Sequence, residues 1–263
     1  MTKKYRDIPF ITKYQWVFHL VAIGIVLVVL SLAVQKFSDS SLESMQVDID
    51  PITDNRYLIT EDDVKTMINE YVGYDASRGS LKRLNLLDLE YLIDSDRRVE
   101  SADLYIDKRM ILHIDIKQKV PLVRIMTEGS NYYLDKNGDY IPVSGHTVRV
   151  PVVTGSLDAY VPNYQLDETH NLNAILTIAK LIEKDDFLKS LVEQINLTDE
   201  NKIVIAPKMG RNKIKIGDIT NLEDKLYRLK IFYSKAISKY GIDKFSELDL
   251  QYDGKVFSKS DES

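Results

Sequence analysis

Trp16 to Val34, WVFHLVAIGIVLVVLSLAV, is nineteen residues without a formal charge. As a helix it spans about 28 Å, close to the ~30 Å hydrocarbon core of a bilayer. His19 and Ser31 are its only polar side chains, so it has no solvent-facing side. The pattern predicts a single transmembrane helix over 16–34. A cleaved signal peptide is the rival reading. It would have a shorter apolar run of roughly 7–15 residues and a small-residue cleavage site. This run is longer and leads into QKFSDSS, which has no such site.

Charge sets the orientation. Lys3, Lys4, Arg6 and Lys13 precede the apolar run, against Asp7 alone. An excess of bases on one flank places that flank in the cytoplasm. Residues 1–15 are therefore expected inside, and everything after the span outside. The first fifteen residues carry net +3 of a total of −5, which leaves −8 for the rest. An acidic ectodomain argues against nucleic acid as a partner. The chain has no cysteine, which excludes a disulfide framework, a thiol nucleophile and Cys-based metal sites.

Residues 35–44 read as a polar linker. MQVDID alternates as a strand. Thr60 followed by Glu61, Asp62 and Asp63 opens a helix whose stripe is Val64, Met67, Ile68 and Tyr71, ended by Gly73. A second helix follows, with Leu84, Leu87 and Tyr91 expected on its inner face. Two strands come next, turning at Asp107–Arg109. The order over 45–119 is β-α-α-β-β. From Val120 the texture becomes β-rich, with a hairpin at Asp135–Gly138 marked by Asn-Gly. A helix with Leu172, Ile175, Leu176, Ala179 and Ile182 inward follows, then three strands. A long helix from Asn221 to Lys239 precedes ELDLQYDGKVF, the closing strand region. SKSDES reads as a disordered tail over 258–263.

No catalytic constellation emerges. His113, His146 and His170 lie in different elements, and no HExxH, phosphate loop or G-x-S-x-G elbow is present. Asp158, Asp167 and His170 could be imagined around a metal, but a solvated loop is the better reading. The acids at Asp62–Asp63 suit a helix N-terminus. The expectation is no enzyme, no cofactor and no metal.

Several stretches carry a family resemblance: YLITEDDVKTMI, HIDIKQKVPLVRI, NYYLDKNGDYIPVS with VRVPVVTG, KIKIGDITNLEDKLYRLKIFY, and ELDLQYDGKVF. In this order, behind one span, they resemble the bacterial cell-division family FtsQ, also called DivIB. The resemblance implies an α+β fold: a transmembrane helix, a POTRA domain over 45–119, and a mixed β-sheet domain with flanking helices over 120–257. It implies a non-enzymatic bitopic scaffold of the division septum in the cell (inner) membrane, N-terminus cytoplasmic. A membrane-anchored envelope hydrolase and a POTRA-bearing secretion or assembly factor are the alternatives. The implied partners are FtsB/DivIC-like and FtsL-like division proteins at the C-terminal strand, with upstream division proteins at the POTRA domain. A closing strand at a sheet edge can recruit a partner strand through its unpaired backbone groups. The residues on which this falls are Leu248, Leu250, Tyr252 and Gly254.

Overall fold

The structure, a computed structural model, describes residues 15–38, 41–53, 55–80, 83–241 and 244–260. The expected cytoplasmic residues 1–14 and the last tail residues, 261–263, lie outside them. The first helix, α1, runs Gln15–Ser38. Its side chains from Trp16 to Leu32 are exposed apart from the half-exposed Val17.

The remainder is mixed α and β. Strand β1 (Ser44–Asp50) leads to helices α2 (Glu61–Val72) and α3 (Leu86–Asp94), then to β2 (Val99–Ile106) and β3 (Ile111–Gln118). The three strands form one sheet in the order β1-β3-β2. This β-α-α-β-β order is the one the hydrophobic periods predict. Gly73, at φ +77°, ends α2 by donating its N–H to the Asn69 carbonyl.

One face assignment is corrected. In α3 the buried residues are Leu89 and Ile93, whereas Leu87 and Tyr91 point to solvent. The helix begins only after Asn85, whose side-chain oxygen accepts the Leu87 N–H. The i, i+4 stripe of the regular helix is therefore 89/93, and the large side chains at 87 and 91 lie off it. Tyr71 of α2 is likewise exposed, while Val64 and Ile68 are buried.

Nine strands make the second sheet: β4 (Pro121–Thr127), β5 (Ser130–Asp135), β6 (Tyr140–Pro142), β7 (Val152–Gly155), β8 (Val192–Leu197), β9 (Ile203–Pro207), β10 (Lys213–Gly217), β11 (Phe245–Asp249) and β12 (Phe257–Ser260). Their spatial order is β12-β11-β10-β9-β8-β7-β4-β5-β6. The sheet is mixed: β4–β7, β7–β8 and β10–β11 are parallel, the other pairs antiparallel. Helices α4 (Leu172–Glu183), α5 (Asp186–Leu191) and α6 (Leu222–Phe232) contribute to its core.

That core is read from the sequence directly. Leu172, Ile175, Leu176, Ala179 and Ile182 of α4 are all buried against Ile125, Val153, Ile195 and Ile205 of the sheet. Each such Leu, Ile or Val side chain contributes about 1.5–3 kcal/mol relative to exposure. The other faces of the central strands carry polar residues. Gln194 donates to the Thr154 hydroxyl (2.8 Å), which donates to Asn196 Oδ1 (3.0 Å), and Lys215 pairs with Glu247 (2.8 Å). Gly155, at φ +102°, passes so close to the Leu197 carbonyl that any Cβ would collide with it.

The chain divides into two compact units that interleave along the sequence. One comprises residues through Asp48, Glu61–Ile93 and Asp103–Asp115. The other comprises Ile49–Thr60, Asp94–Ala102 and the chain from Ile116 onward. Within the second unit, Leu58 packs with Tyr133, Ile141 and Val148 in a smaller core over β5 and β6. Gln118, only 3% exposed, ties this return segment down. Its Oε1 accepts the N–H groups of Leu58 (2.6 Å) and Ile59 (3.2 Å), and its Nε2 donates to the Asp50 carbonyl (2.7 Å).

Candidate functional site

The closing strands are built on α6. Phe245 at the start of β11 meets Phe232 at the end of α6, ring centroids 5.1 Å apart at 70°. The helix then passes through a π-turn at Tyr233–Ile237. Leu248 and Leu250 are fully buried in the main core. They are core residues, and no partner can reach their side chains. Tyr252 is 59% exposed, and Gly254 sits at φ +66° in the turn beyond it.

The edge expected at Leu248–Tyr252 is not an edge. Strand β11 is parallel to β10 on one side and antiparallel to β12 on the other. Among the described residues the free edge is β12, Phe257–Ser260, which also takes in Ser258–Ser260 of the tail expected to be disordered. Sequence pattern misses this strand because all four residues are exposed and FSKS has no buried face to alternate.

Register identifies which backbone groups are free. The Leu250 N–H donates to the Lys215 carbonyl of β10 (2.9 Å). Backbone direction alternates along a strand, so Leu248 also faces β10, whereas Glu247 and Asp249 face β12. Their register partners are Lys259 and Phe257, and Ser258 pairs with Leu248. Phe257 and Lys259 thus turn their N–H and C=O inward. Ser258 presents both to the open side.

Two aromatic rings flank this edge. Tyr252 and Phe257 meet edge to face, 5.2 Å apart at 80°, and Phe257 is 51% exposed. Beside them lies an open groove of about 420 Å³ lined by Tyr227, Ile231, Phe232, Ala236, Gly254 and Val256, among others. An unpaired backbone edge beside exposed aromatics and an apolar groove can accept an extended segment and a hydrophobic side chain together.

Sequence reading misses Arg228. Its Nε donates to Asp224 Oδ2 (2.7 Å) one helical turn earlier. Its Nη1 donates to the carbonyls of Tyr252 (3.0 Å) and Lys255, and its Nη2 to that of Leu250 (3.4 Å). The i, i+4 spacing to Asp224 is visible in the sequence. The three carbonyl partners, 22 to 27 residues away, are not.

His113 belongs to one unit, His146 and His170 to the other. In one unit His113 Nε2 is 3.4 Å from Asp107 Oδ2, and its ring stacks on Tyr105 at 4.8 Å. Asp107 also accepts the N–H groups of Ile111 and Arg109 at the β2–β3 turn. These bonds, the Ile111 one foremost, pull its pKa down to about 2. In the other unit His170 places Nε2 3.2 Å from the Ala159 carbonyl, and its Nδ1 accepts the Leu172 N–H (3.3 Å). Asp158, 3.9 Å from Nδ1, is already bonded to the Asn171 N–H, and Asp167 to Thr169. His146 is exposed. Among the described residues no group of three or more His, Asp or Glu is placed to hold a metal.

A family model described as FtsQ/DivIB, C-terminal related, matches residues 120–258. This is more than half of the chain, and it covers the nine-stranded sheet with its helices as far as the first residues of β12. No curated protein matches the chain.

Proposed function

This chain belongs to the FtsQ/DivIB family of cell-division proteins, and on that premise we propose that it is a non-enzymatic scaffold of the division septum. In this reading residues 16–34 cross the cell membrane once, with the N-terminus cytoplasmic. Residues 45–119 act as a POTRA domain that receives upstream division proteins. The β domain from residue 120 captures FtsB/DivIC-like and FtsL-like partners. Support for the span comes from the apolar side chains of Trp16–Leu32, an exposed hydrophobic surface that hydrocarbon would cover.

One observation carries the partner reading: β12 is a sheet edge whose outward backbone groups sit beside exposed Tyr252 and Phe257. Docking a partner strand there gives affinity through main-chain bonds and selectivity through the aromatic pair. The binding residues are then Ser258 with Tyr252 and Phe257, while Leu248 and Leu250 support them from the core.

Ser258→Pro tests this. Proline is tolerated on an edge strand where its missing N–H would face outward. The full-length variant should fold as wild type yet lose co-purification with the FtsB/DivIC-like and FtsL-like pair. Truncation after Glu247 is a poor test, because it deletes the buried Leu248 and Leu250. Undiminished capture by folded Ser258→Pro protein would overturn the reading.

A further inference from the structure

We propose that Arg228 is the positioning residue of this edge, setting how Tyr252 and β12 are presented to a partner strand. The inference rests on the partner reading above and adds a device that controls the same site.

The turn between β11 and β12 has little of its own to hold it. Its backbone bond is a long one, Lys255 N–H to the Tyr252 carbonyl at 3.4 Å, and Gly254 takes a left-handed conformation open to solvent. A further bond, from Asn221 Nδ2 to Asp253 Oδ1, is also long at 3.4 Å, and bonds of this length constrain a turn weakly. Three of its carbonyls, at Leu250, Tyr252 and Lys255, converge on one guanidinium. The Arg228 side chain is only 11% exposed, and Asp224 holds its Nε from behind. A planar group with five donors in fixed directions can satisfy a carboxylate and three carbonyls at once. The Tyr252 carbonyl is thus fixed to α6, and the Tyr252 ring is fixed against Phe257. The edge strand starts from a set point rather than from a swinging loop.

A lysine at 228 keeps the charge but offers one ammonium in place of a fork. Tyr252 and Lys255 are exposed, so water can replace the lost donors to their carbonyls, and the carbonyl of buried Leu250 loses only a long bond of 3.4 Å. The loss falls on the order of the turn, and a partner strand must then supply that order on binding. Pre-organisation of this kind is worth about tenfold or more in affinity.

The test compares full-length wild type, Arg228→Lys and Ser258→Pro by regional amide exchange and by affinity for the FtsB/DivIC-like and FtsL-like pair. Arg228→Lys should speed exchange over 250–260, leave α4 (172–183) unchanged, and weaken binding by about tenfold or more. Ser258→Pro should abolish binding with the 250–256 turn still protected. Unchanged exchange over 250–260 in Arg228→Lys overturns the proposal. So does a loosened turn that binds like wild type, and so does an equal rise in exchange in α4, which would mark general destabilisation. If both variants bind as wild type, it is the partner reading that fails.

Discussion

Replacing Gln118 by leucine isolates one buried amide that holds the Ile49–Thr60 segment to the second unit. Leucine is close in size, so little cavity opens. What disappears is an acceptor for two backbone N–H groups and a donor to one carbonyl. Leu58 and Ile59 are both fully buried, so no water can replace the acceptor. Each buried group left unpaired costs about 1–3 kcal/mol, and the new apolar contacts return part of that. The net expectation is a loss of about 2–5 kcal/mol, a drop in Tm of roughly 5–15 °C for a unit of this size. Near-ultraviolet circular dichroism of the detergent-solubilised chain, which carries sixteen tyrosines, follows the transition. Gln165→Leu is the control: its amide donates to the Asn137 carbonyl at 2.8 Å, but at an exposed site. It should shift stability by about 0.5 kcal/mol or less. A Gln118→Leu chain that melts within about 1 kcal/mol of wild type would refute the argument that this amide is the tie.

Acid should act through Asp218. The buried Lys225 ammonium donates to its side chain (3.1 Å) and to its carbonyl (2.9 Å), and that pairing foremost holds the carboxyl near pH 2. A depressed carboxyl stabilises the fold above its unfolded pKa of about 4, and that contribution disappears as pH falls from about 4 to about 2. Asp218→Asn should therefore flatten the fall in stability across that window in acid-titrated melts; an unchanged slope counts against the pairing. Topology can be mapped without background, because the chain has no cysteine. Single cysteines at Ser41 and at Thr2 should react with a membrane-impermeant maleimide in intact cells only at Ser41, and labelling at Thr2 would reverse the proposed orientation.

Much of the fold is legible in the chain because local physics decides it. The α4 stripe from Leu172 to Ile182 is buried as its period requires, and Asp135 closes its hairpin by accepting the N–H groups of Asn137 and Asp139. The failures at α3 and at β12 have different causes. Leu87 and Tyr91 satisfy a helical period, but the true start of α3 rotates the stripe to Leu89 and Ile93. Strand β12 has no period to find, since all four of its residues are exposed and none alternates with a buried neighbour. The polar side chains that organise the site are also hidden. Gln118, Lys225 and Arg228 look like surface residues until tertiary contacts bury them, and nothing in their neighbours announces it. Leu248 and Leu250 were legible as apolar, but not as residues on the closed side of a further strand.

The two ends of the nine-stranded sheet are unlike. At one end β6 is only three residues long, finishes in Pro142 and is backed by the small core around Tyr133 and Ile141. At the other, β12 ends the sheet with no proline and no covering core. Short edges with proline resist pairing with foreign strands. Among the described residues the sheet therefore has one reactive edge. It can lengthen by a single partner strand and then stops, because a chain reaction of edge-on-edge contacts needs two reactive ends. One such edge allows pairing with a single added strand but no open-ended stack of like copies.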